Sequence, residues 1–166
     1  MAVRAGMELA EPEYWNPSSL FDYSAATLTT VNWIVTGVAF ILWSHTTPIR
    51  WSSILLMVAG IGIAVSGVGN VLEDVVNLGF GELLFTFGGM VGVIGVLMAA
   101  VSILAVRSPL RWSALPLLLF VVGAAFPDSG GQFLTGASLI ALGLLLSASS
   151  ADLRSRLLSA RWLQPQ

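Results

Sequence analysis

Leu83–Val106 reads LLFTFGGMVGVIGVLMAAVSILAV, twenty-four residues with no charged side chain and no proline. At about 1.5 Å of rise per residue a helix over this stretch is about 36 Å long, more than the roughly 30 Å hydrocarbon layer of a bilayer. The rest of the chain has the same character. Of its 166 residues 56% are hydrophobic and only 10% are charged, and the mean hydropathy is +0.87. A soluble domain carries about a quarter charged residues. So few charges do not cover a water-exposed surface, and lipid is the natural solvent for the remainder.

Working outward from Leu83–Val106, the stretch Trp51–Val71 is uncharged and largely apolar. Ser24–Ser44 precedes it, and Leu110–Phe126 and Gly131–Ala148 follow the central stretch. Pro48, Pro109 and Pro127 fall in the linkers, where they end helices without removing a bond from a ladder. The pattern predicts an all-α integral membrane bundle of five transmembrane helices. Leu110–Phe126 is the short one: it is at the lower limit of a crossing and contains Pro116. The alternative is four crossings plus one re-entrant segment. Three regions follow: an extracytoplasmic segment over 1–23, the membrane domain over 24–148 and a cytoplasmic tail over 149–166. Residues 1–23 hold Glu8, Glu11, Glu13 and Asp22 and lack an apolar core, so no cleavable signal peptide is expected there.

Charge orients the bundle. With five crossings, one side holds Arg50, Arg107, Arg111, Arg154, Arg156 and Arg161, six of the seven arginines. The other side holds eight of the nine acids, with Glu73, Asp74, Glu82 and Asp128 among them. Basic residues collect on the cytoplasmic side of inner-membrane proteins, so the N-terminus is expected outside and the C-terminus inside, in a cell inner membrane. Were the fourth segment not to cross, the arginine-rich tail would join the acids. Trp43, Trp51, Trp112 and Trp162 near cytoplasmic ends, and Tyr14, Trp15, Phe21 and Tyr23 before the first span, suit the headgroup level. The tail over 150–163 is expected to form a short interfacial helix, with Leu153, Leu157, Leu158 and Ala160 toward lipid and its arginines toward phosphates.

Between helices in lipid, close van der Waals contact at small residues replaces the hydrophobic effect. Gly62 and Ser66 in the second span, and Gly88 and Gly92 in the third, form such small-residue pairs. They predict a tightly packed hairpin of spans two and three. Gly136 and Gly143 are also seven residues apart and are expected to share a face.

One polar constellation stands out: Asn70, Glu73, Asp74 and Asn77, spaced i, i+3, i+4 and i+7. On a helix continuing to Asn77 all four share one face. This face is continuous with Gly62 and Ser66, and Glu82 and Asp128 lie on the same side. Carboxylates and carboxamides are hard oxygen donors suited to a divalent cation or a proton. The plainer readings are a solvated helix end or an interhelical hydrogen-bond cluster. Asn32 and Thr36 inside the first span are expected to bond across helices. His45, the single histidine, is expected to be interfacial rather than a ligand.

No nucleophile elbow, zinc-protease helix or phosphate loop is present. There is no cysteine, which removes thiol chemistry and thiolate metal sites. The chain is therefore not expected to be an enzyme, nor to carry a cofactor or metal, nor to bind nucleic acid. Its expected partners are the lipid bilayer and further membrane subunits or copies of itself. The expected role is a non-catalytic subunit, assembly factor or scaffold of a membrane complex. The alternative is a small transporter or channel for a cation or proton, using the Asn70/Glu73/Asp74/Asn77 face.

Overall fold

The structure, a computed structural model, describes residues 20–106, 109–126 and 131–162. Expectations resting on residues 1–19, Arg107 and Asp128 lie outside the described residues. Five α-helices occur among the described residues: α1 Leu20–Thr46, α2 Arg50–Asp74, α3 Phe80–Leu104, α4 Ala114–Ala125 and α5 Gly131–Trp162. A short 3₁₀ helix, Pro109–Ser113, leads into α4. No strand occurs among the described residues. Four of the helices are long and apolar enough to cross a membrane, and the α4 region is shorter.

The helix ends follow local chemistry. Pro48 separates α1 from α2. α2 stops at Asp74, and Asn77 then takes a left-handed conformation with φ of 59°. Asparagine is one of the few residues other than glycine that tolerates this geometry. Pro116 falls in the first turn of α4, where an absent N–H costs no intrahelical bond. α5 does not end near Ala148 but continues through Trp162, across the boundary expected between membrane domain and tail. Ser147–Ser150 contains neither glycine nor proline, so nothing there breaks the helix. The lipid-facing and phosphate-facing assignments of the tail concern side chains outside the described residues.

α1, α2 and α3 run antiparallel in sequence and pack at very short range. A Cβ on Gly37 would lie 2.5 Å from the Gly60 carbonyl oxygen across the α1–α2 contact. Across α2–α3, a Cβ on Gly62 would lie 2.8 Å from both the Gly88 oxygen and the Gly92 nitrogen. One on Gly88 would lie 2.6 Å from the Ser66 nitrogen. Only glycine lets the two backbones meet there. Hydroxyls add ties: Ser66 Oγ donates to the Phe85 carbonyl at 2.9 Å, Ser52 Oγ to Ser102 Oγ at 3.0 Å, and Ser53 Oγ to the Ser44 carbonyl at 2.8 Å. Gly143, by contrast, faces open space.

The core gathers where all five helices meet, with Phe40 and Trp43 of α1, Leu56 and Ile63 of α2, Val96 and Ile103 of α3, Leu117 and Phe120 of α4 and Leu142 of α5. Phe40 and Phe120 meet edge to face with ring centroids 5.4 Å apart. That contact fixes heights. Beyond Phe120, α4 has five residues left, Val121–Ala125, or about 8 Å of helix. Before Phe40, α1 has twenty residues, Leu20–Ala39, or about 30 Å. Whatever the tilt of α4, its end lies far short of the start of α1. α5 begins at the same place, because the Gly131 N–H donates to the Phe126 carbonyl at 3.0 Å. α4 thus ends, and α5 begins, partway along the α1–α3 bundle.

Candidate functional site

The polar residues singled out in the sequence sit where α2 ends beside the starts of α1 and α3. Asn70 is buried, at 7% exposure. Its Nδ2 donates to the Ala26 carbonyl and to Thr30 Oγ1, each at 3.4 Å, and to Asp74 Oδ2 at 3.0 Å. The first two bonds cross to α1, and the third runs along α2 to the next turn. Glu73 and Asp74 are half-buried. Glu73 lies within Coulomb range of both Asp74 and Glu82, the latter in the first turn of α3. Three carboxylates therefore crowd one end of the α2–α3 hairpin. The approach of α3 is close here too, since a Cβ on Gly81 would lie 2.5 Å from the Glu73 nitrogen.

Asn77 is not part of that group. α2 ends at Asp74, so the expected i+7 position lies in the turn, exposed, with its N–H donating to the Glu73 carbonyl at 3.2 Å. Asn77 acts as a helix stop. The structure brings together Asn70 and Asp74, sets Glu73 beside Glu82, and turns Asn77 away. Gly62, Ser66, Gly88 and Gly92 lie one to four turns deeper, in the α2–α3 contact.

Two further residues of this end were not legible as members of it. Thr30 accepts the Asn70 bond, and Asp22, one turn before Ala26, is buried at 5% exposure and is not an interfacial acid in the open. Asp22, Ala26 and Thr30 recur every four residues, and that spacing was the available signal. Elsewhere, Thr36 is buried in the row that leads to Phe40, and Asn32 is half-buried. His45 is exposed in the last turn of α1. Gln132, Thr135 and Ser138 form a buried polar row on α5, with Thr135 Oγ1 donating to the Gly131 carbonyl at 2.6 Å and Ser138 Oγ to the Leu134 carbonyl at 2.6 Å.

Chemically, the arrangement offers half-exposed carboxylates and a carboxamide already engaged on three acceptors. Among the described residues no group of three or more His, Cys, Asp or Glu side chains is placed to hold a metal ion. Comparison with protein-family models, with curated proteins and with solved structures returns no match.

Proposed function

We propose that this chain is an integral protein of a bacterial-type inner membrane that serves as a non-catalytic subunit, assembly factor or scaffold of a membrane complex. What carries the reading is where the polar chemistry goes. Asn70 spends its amide on Ala26, Thr30 and Asp74, and Ser52, Ser53 and Ser66 bond to neighbouring helices. These bonds hold helices together. The outer faces carry large apolar side chains such as Val35, Phe87, Ile94 and Val101, each more than half exposed. Such faces rest against lipid without cost, and an open small residue such as Gly143 suits contact with a further helix. Purification in mild detergent tests this. The expected result is stoichiometric co-purification with another membrane protein or with a second copy; a lone monomer that has lost no partner counts against it.

The geometry also supports a topology of three full crossings and a re-entrant hairpin. α4 and α5 enter from the arginine-bearing side and return to it. N-terminus outside and C-terminus inside are kept, because both arms of the hairpin turn back. α5 is long enough to cross alone, but it starts at the end of α4, level with the middle of α1. At the start of α5, Gly131 is buried against Gly123 and Phe126.

The crowding of Glu73, Asp74 and Glu82 favours the second reading, a cation or proton pathway. Flux into liposomes measured with Glu73→Gln and Asp74→Asn separates the two. Unchanged flux in both variants removes these carboxylates from any transport mechanism.

A further inference from the structure

The junction of the 3₁₀ helix with α4 leaves a groove against α5. Its lining is Trp112, Leu115, Pro116, Leu119, Ala141, Leu144 and Leu145, and its volume is about 460 Å³. The local cause is in the sequence. The 3₁₀ turn winds more tightly than α4, and Pro116 keeps its ring in the first turn of α4 without an N–H to donate. Ala141 supplies a low floor on the α5 side. Leu115, Leu144 and Trp112 stand more than half exposed along the walls, so the groove opens outward, away from the bundle core. From Trp112 to Leu119 it runs seven residues, about 11 Å. That is far less than a crossing helix needs. At one end the Arg111 guanidinium lies 5.3 Å from the centre of the Trp112 ring. An apolar slot thus ends at a cation held beside an interfacial tryptophan.

We infer that this groove binds one anionic phospholipid, with an acyl chain along Leu115, Leu119, Ala141 and Leu144 and the phosphate at Arg111. Three observations converge: an all-apolar lining, a mouth bearing a fixed positive charge, and a length suited to a chain segment rather than a helix. Basic pockets between membrane helices on the cytoplasmic side take anionic headgroups in this way. The inference rests on the membrane reading above. Extraction of whole membranes with alkaline carbonate tests that reading separately, since a peripheral protein is released and an integral one is not.

The test is native mass spectrometry of the full chain released from nanodiscs of phosphatidylglycerol or phosphatidylcholine. Retention of one phosphatidylglycerol per chain is expected under activation that strips phosphatidylcholine. Arg111→Gln is expected to lower that retention about fivefold, the equivalent of ~1 kcal/mol per basic residue at an anionic surface. Ala141→Phe, which fills the groove, is expected to abolish it. Leu144→Phe narrows the mouth at an exposed position and serves should Ala141→Phe fail to fold. A phosphatidylglycerol with a photoactivatable acyl chain is expected to cross-link to the segment 115–119 or 141–145. Equal retention of both lipids, undiminished retention in Ala141→Phe and Leu144→Phe, cross-links elsewhere, or a lipid-free dimer through this face each overturn the proposal.

Discussion

Replacing Gly88 by alanine adds one methyl where two backbones touch. The new Cβ would lie 2.6 Å from the Ser66 nitrogen and 2.7 Å from the Gly62 oxygen. Ordinary carbon contacts fall at about 3.5–4.0 Å, so α2 and α3 must part locally by about 1 Å. A gap of that size forfeits roughly a quarter to a half of each atom-pair attraction of about 0.1–0.2 kcal/mol. Over about forty pairs, the contacts of one buried leucine, the loss is about 2 kcal/mol, within the usual cost of overpacking. Gly143→Ala is the control: nothing lies within 4 Å of its Cβ, and alanine is the better helix former by about 0.8–1 kcal/mol. Reversible unfolding in mixed micelles, followed by helix circular dichroism, is expected to show Gly88→Ala about 2 kcal/mol less stable than Gly143→Ala, in which the same propensity gain is unopposed and which is neutral or stabilised relative to the parent. Gly62 faces the same gap, so the double variant Gly62→Ala/Gly88→Ala is expected to cost less than the sum of its parts. A Gly88→Ala protein as stable as the parent would refute the close-contact account.

Asn70→Leu removes the bonds to Ala26 and Thr30, and is expected to cost roughly 0.6–1.7 kcal/mol in the same assay; no loss would mean that this amide does not tie α1 to α2. Asn77→Gly is expected to be neutral or better, whereas Asn77→Val forces a branched residue into the left-handed region and is expected to cost about 1–2 kcal/mol; equal stability of the two variants would contradict the helix stop. Ser66→Ala loses the bond to the Phe85 carbonyl and is expected to cost about 0.6 kcal/mol, well below Gly88→Ala; a larger effect would shift the weight of the α2–α3 contact from backbone approach to hydrogen bonding.

The long helices were legible because apolar length is a property of sequence alone. Residues 83–106 announce α3 within two residues of its observed end. The stop of α2 was less legible: Val75 and Val76 continue the apolar pattern, and only the φ of Asn77 shows the chain leaving the helix. The four-residue polar face therefore lost its last member. The short α4 exposes a different limit. Charge segregation argues for a full crossing of the fourth segment, because the tail arginines need it. A hairpin in which α4 and α5 both turn back keeps the same arginine count but not the outer placement of Asp128, and the distinction depends on the contact of Phe40 with Phe120, eighty residues apart. The burial of Asp22 was not legible for a similar reason: it depends on tertiary packing, which a count of outer acids does not contain.

The chain has no cysteine, so single cysteines can report depth directly. The decisive measurement compares Phe126→Cys, at the exposed hairpin tip, with Val76→Cys in the α2–α3 turn and His45→Cys at the end of α1. In intact cells, a membrane-impermeant maleimide is expected to label Val76→Cys and to reach His45→Cys only after permeabilisation. Phe126→Cys, which the proposed hairpin sets partway through the bilayer, is expected to resist the reagent from both sides until detergent is added. Labelling of Phe126→Cys from outside as readily as Val76→Cys would mean that α4 crosses completely, and would contradict the re-entrant hairpin.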